Sequence, residues 1–184
     1  MLFEQGADVR RPPASTTKVL TAILAIERLP PDRLVTISPR AAAQRSGSAI
    51  GLEVGERWRV DDLFHALMIA SANDAAVALA EAVAGSVERF GDLMNQKARA
   101  LGAEHSTFVV PHGLHHPRHQ TTARDLARIT RYALRHPAFS AIVRQLGVSE
   151  VFSPRFAWKP SMSRTHPAMP PRKEERVAFS HSAG

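Results

Sequence analysis

Eight consecutive residues, VLTAILAI from Val19 to Ile26, carry a single polar side chain, Thr21. The pattern around them is helical from Thr16 to Arg28, and Pro30-Pro31 stops it. A helix that is apolar nearly all round has no face to give to water, so other elements must close over it on every side. The run is also far too short to span a bilayer. Whatever this chain builds, it builds around that helix. Its 184 residues, 44% hydrophobic and 22% charged, are enough for one globular domain with a real core.

The remaining pattern supplies candidates for the surrounding layer. Residues 32–60 read as irregular, with short strands at Val35–Ile37 and Arg57–Val60 and glycines at 47, 51 and 55. A second helix is predicted from Asp61 to Ile69, and a third over AAVALAEAVA, stopping at Gly85. Ser86 caps a fourth, whose buried face is Val87, Phe90, Met94, Ala98 and Leu101 before Gly102 closes it. PHGLHHPRHQ, residues 111–120, reads as a surface loop. Thr122 with Asp125 has the spacing of a capping box for the helix ARDLARITRYALRH, which Pro137 is expected to stop before the short helix AFSAIVRQL. Leu2-Phe3 reads as the end of a strand. Arg124, Arg128, Arg131 and Arg135 read as the solvated side of their helix.

Charge and composition narrow the function classes. The formal charge of +7 suits an anionic partner, but no zinc-finger spacing, aromatic RNA-binding stretch or helix-turn-helix pattern accompanies it, and no nucleic acid is expected. The absence of cysteine excludes disulfides, thiolate metal sites and a Cys nucleophile. The N-terminus lacks a basic region followed by an apolar one, so no signal peptide is read there, and no membrane association is visible. Histidines 112, 115, 116 and 119 crowd one loop without a neighbouring carboxylate, and no metal or cofactor is expected of them.

Two short constellations carry chemistry. In Ser15-Thr16-Thr17-Lys18 the serine and lysine stand one helical turn apart, on one face at the head of the buried helix. A serine hydroxyl needs a base to take its proton, and a lysine whose pKa is lowered by desolvation can be that base. The same residues also fit a plain helix cap. In Ser71-Ala72-Asn73-Asp74, Ser71 and Asn73 suit proton transfer and the holding of an amide; equally, Ser71 and Asp74 fit a capping box for the third helix.

Together the two form an acyl-transfer pattern, a Ser-x-x-Lys followed by a Ser-x-Asn in an inter-helix turn. The chain resembles the serine D-alanyl-D-alanine carboxypeptidases, the low-molecular-mass penicillin-binding proteins. PASTTKVLTA resembles their nucleophile segment and SAIGLEVGERWRVDDLFHALMIASANDAAVALAEAVAG the segment carrying their second motif. FGDLMNQKARALGAEHSTFVVPHGL and HQTTARDLARITRYALRHPAF follow in family order. The resemblance implies an α+β, β-lactamase/transpeptidase-like fold, with the helical subdomain largely present over residues 1–147 and the sheet incomplete. It implies Ser15 as the acylated nucleophile, Lys18 as the general base, Ser71 as an aid to proton transfer and Asn73 as a substrate-binding residue. Peptidoglycan stem peptides would be the substrate, β-lactams inhibitors, and the location periplasmic or otherwise extracytoplasmic.

The family's third motif, Lys-Thr-Gly, does not occur in the 184 residues. Near its expected place stands Arg176-Val177-Ala178, in which Arg176 is a candidate stand-in for the lysine. Residues 151–184 hold five prolines and six Lys or Arg against two Glu, and residues 148–184 read as an irregular basic tail of the kind a shifted reading frame produces. The expectation is therefore a truncated or frameshifted family member. The alternative is a catalytically inactive fragment of the same family; a small basic nucleic-acid-binding protein is the reading from outside it.

Overall fold

The structure, a computed structural model, describes residues 4–145. The strand end read at Leu2-Phe3, the boundary at Gly147 and the tail with Arg176 lie outside the described residues.

The apolar run forms the centre, as its pattern requires. Helix α1 (Lys18–Arg28) is preceded by a single 3-10 turn, Ala14–Thr17. Leu20, Ala22, Ile23, Leu24 and Ala25 are at most 1% exposed. Each fully buried Leu or Ile there contributes about 2 kcal/mol of transfer free energy. Packed around α1 are α3 (Val60–Ile69), α4 (Asn73–Ala84), α5 (Val87–Ala100), α6 (Ala123–Ala133) and α7 (Pro137–Gln145). Helix α4 buries Ala75, Ala76, Ala78 and Ala80, whose small side chains let neighbouring backbones come close. Gly85, at φ +79°, ends it in the left-handed conformation that glycine adopts without strain.

The strands β1 (Leu34–Thr36) and β2 (Arg57–Arg59) pair antiparallel, with Val35 opposite Trp58. The described residues are thus α+β in class, helix-rich with one small antiparallel sheet. None of their helices is long and apolar enough to cross a membrane.

Four local readings change. Residues 32–60 are not wholly irregular: α2 (Pro39–Ala43) lies among them, with Ser38 Oγ accepting from Ala41 N at 3.0 Å and proline in the first turn. The signal, Ser-Pro-Arg-Ala-Ala-Ala, is a plain helix start that brevity hid. The capping box at α6 is half formed. Thr122 Oγ1 accepts from Asp125 N at 3.1 Å, but the buried Asp125 carboxylate turns away to His105 N and Ser106 Oγ, both at 2.8 Å. Pro137 does not so much stop α6, which ends at Ala133, as begin α7. The arginine face is exposed at Arg131 and Arg135, whereas Arg124 and Arg128 are partly buried by their partners. Arg124 pairs with Glu4 and, through Nε, with Asp8 Oδ1 at 2.8 Å, while Arg128 Nη1 donates to Gly102 O at 2.5 Å. These contacts tie the N-terminal segment and the turn after α5 to α6.

Candidate active site

The 3-10 turn that opens α1 presents Ser15 outward and turns Lys18 inward; the serine is exposed and the lysine 3% exposed. No side-chain cap forms at either the turn or the helix start, so the tetrad is not the helix cap it also resembled. Lys18 Nζ donates to Ser15 Oγ at 3.3 Å and to the carbonyl of His112 at 3.0 Å. Burial pushes its pKa down from 10.5 to about 8. At pH 7 roughly a tenth of such amines are neutral, against about one in 3,000 for an ordinary lysine.

Ser71 approaches the same oxygen from the turn between α3 and α4. Its Oγ donates to Ser15 Oγ at 3.2 Å. The capping alternative for Ser71 fails: the residue before α4 is Ala72, and no side chain caps that helix. Asp74 is instead fully buried, and its carboxylate accepts from the backbone amides of Ile50, Gly51 and Leu52 at 2.9–3.2 Å. Beside it Asn73, 4% exposed, donates through Nδ2 to Ser46 O at 2.8 Å, and its backbone N–H donates to Ser48 O. The 46–52 loop is therefore laced to the start of α4, and Gly47 is needed because a Cβ there would meet Asn73 Nδ2 at 2.8 Å. Ser15, Lys18 and Ser71 converge on one oxygen. Asn73 flanks them on the loop side.

Sequence reasoning missed the opposite wall. The 111–114 segment lies directly against the nucleophile turn, and a Cβ on Gly113, at φ +85°, would collide with Ala14 O. Thr21 Oγ1 donates to Pro111 O at 2.7 Å, which holds the segment to α1. The surface-loop reading of 111–120 is corrected for two of its histidines: His112 is 8% and His119 2% exposed. His119 Nδ1 accepts from Val109 N at 2.9 Å, so its proton sits on Nε2, which donates to Thr17 Oγ1 at 2.8 Å. Desolvation lowers both pKa values to about 4 and keeps the rings neutral. Among the described residues no three metal-ligating side chains gather. The cue was the glycine in PHGL, since nothing local in sequence foretells a contact across some hundred residues.

The sequence profile described as D-alanyl-D-alanine carboxypeptidase matches residues 1–153. The chain belongs to this carboxypeptidase family. It is 36% identical over 145 residues to D-alanyl-D-alanine carboxypeptidase DacF of Bacillus subtilis, covering 76% of this chain and 37% of that one. The solved D-alanyl-D-alanine carboxypeptidase DacD of Francisella tularensis superposes with a TM-score of 0.71 at 38% identity, over 74% of this chain and 35% of that one. Penicillin binding protein 5 of Haemophilus influenzae superposes with a TM-score of 0.73 at 32% identity, over 77% of this chain and 43% of that one. The carboxypeptidase-family fold is thus present in its helical part, and the chain spans well under half the length of these relatives.

Proposed function

We propose that this chain carries the acylating half of a serine D-Ala-D-Ala carboxypeptidase site. The observation that supports it is the convergence of Lys18 Nζ and Ser71 Oγ on Ser15 Oγ, with the lysine desolvated. In this reading the neutral Lys18 amine takes the Ser15 proton as Oγ bonds to the carbonyl carbon of the penultimate D-alanine of a peptidoglycan stem. The positive end of α1 favours the negative charge that develops there. The tetrahedral adduct collapses, the C–N bond breaks, and the departing D-alanine amine receives the proton by way of Ser71. Water then attacks the ester, gives its proton to Lys18, and releases the shortened stem and Ser15. Asn73 holds the substrate amide from the loop side. A β-lactam ring, opened by the same attack, leaves a penicilloyl ester on Ser15. The substrate places the working enzyme outside the cytoplasm, in keeping with relatives named for penicillin binding.

The experiment is labelling with a fluorescent penicillin. The folded wild-type chain takes the label and Ser15→Ala does not. A folded wild type that stays unlabelled overturns the acylating reading and leaves the second one, an inactive family member.

A further inference from the structure

We propose that His119 is a positioning residue for the Ser15–Lys18 pair, acting through Thr17. The proposal rests on the acyl-transfer reading for its catalytic meaning, but its geometry stands apart from it. Thr17 lies between the nucleophile and the base in sequence and is wholly buried. Its hydroxyl is held at 2.8 Å by His119 Nε2, and the backbone of Gly113 packs so close that a Cβ there would come within 2.8 Å of the same oxygen. Thr17 is thus clamped from two sides at the point where the 3-10 turn passes into α1.

The histidine is itself fixed. Its Nδ1 accepts from the amide of Val109, and its ring meets Phe108 edge-on with centroids 5.6 Å apart and planes at 79°. Both ring nitrogens are in use and the tautomer is set by a backbone donor, so the ring has one way to sit. Burial holds it neutral to about pH 4, so the Nε2 proton stays directed at Thr17 over the pH range where Lys18 titrates. The other groups near the clamp are Lys18 and His112, on the nucleophile side, and His116, whose backbone carbonyl accepts from His119 N at 2.9 Å. Without the clamp the turn can rotate about Thr17, the 3.3 Å contact between Lys18 and Ser15 lengthens, and water reaches the ammonium.

That consequence is measurable without any turnover. In the full chain, Lys18 is followed by the 13C shift of its ε-carbon as pH is raised, in wild type, His119→Phe, His119→Gln and Thr17→Val, each well below its unfolding temperature. His119→Phe keeps the ring but loses both hydrogen bonds; His119→Gln offers an amide donor near the Nε2 position. Lys18 is expected to titrate near 8 in wild type, to move toward 10.5 in His119→Phe and Thr17→Val, and to stay low in His119→Gln. The double variant His119→Phe/Thr17→Val moves no further than either single one.

Penicillin acylation should fall by roughly 10- to 100-fold in His119→Phe and recover in His119→Gln, the scale expected for a misplaced reacting group. If wild type takes no penicillin, the acyl-transfer reading fails, and the Lys18 titration still decides the positioning claim. A Lys18 titration unchanged in His119→Phe and Thr17→Val, with only the melting temperature lowered, overturns it. Should His119→Phe not fold, Thr17→Val decides alone.

Discussion

At the scale of single residues, the buried lysine is where stability and chemistry oppose each other. Folding takes Lys18 out of water with a proton it would rather shed, so its folded pKa falls to about 8 from 10.5. The unfolded chain therefore binds more protons between those values, and the folded state gains stability as pH rises through them. Below pH 8 the full penalty remains. Replacing the amine with an apolar group of similar length removes it, so Lys18→Met is expected to stabilise the fold by about 1–3 kcal/mol at pH 7 while ending acylation. Urea unfolding at pH 7 and pH 10 checks the sign: the advantage of Lys18→Met must shrink at the higher pH. An advantage that is constant or grows with pH contradicts the burial argument.

Among elements, the join between α4 and the 46–52 loop is held mainly by side-chain chemistry, with one backbone bond, Asn73 N to Ser48 O, beside it. Asp74 satisfies the amides of Ile50, Gly51 and Leu52 from the first turn of α4, in a stretch with no strand or helix to take those donors. Asp74→Ala leaves three amides without their acceptor and is expected to cost about 3 kcal/mol or more. Hydrogen exchange should show those three amides opening fastest, ahead of the α5 core. Slower exchange there than in α5 would contradict it. This join also marks the limit of what the sequence makes legible. The helices α1, α3, α4, α5 and α6 and both strands are read from period, caps and glycines, because those signals act within a few residues. Ser15, Lys18, Ser71 and Asn73 are legible as motifs. What holds them is not: Asp74 reads as a cap partner until its loop is folded against it, and His119 reads as surface until Thr17 is brought to it across a hundred residues.

For the molecule as a whole, acid is the expected weakness. His112 and His119 have pKa values near 4 when folded, against about 6.5 when solvated. Depressed folded values mean that the unfolded chain binds more protons from pH 6.5 down to 4, so this stability is fully present above 6.5 and is lost on acidification through 4. Each ring contributes a slope of up to about 1.4 kcal/mol per pH unit. Unfolding free energies at pH 7, 6 and 5 should therefore fall steeply in wild type and about half as steeply, over that span, in His119→Gln. Equal slopes would show that the ring is solvated. The fold thus keeps these two histidines buried only where they stay uncharged, and one of them, His112, belongs to the 111–114 segment that lies against the nucleophile turn.

Among the described residues, the two non-glycine positions with positive φ are Ala14 at +50°, next to Ser15 in sequence, and Ser71 at +53°, whose Oγ donates to Ser15 Oγ. Such conformations cost about 1 kcal/mol or more apiece and persist where the surroundings enforce them. A population of variants chosen only for surviving heat would drift toward glycine at 14 and 71 and toward an aliphatic residue at 18. Such a lineage would keep the helical fold and silence the site, and a descendant robust to heat but blank to penicillin would carry its history at those three positions.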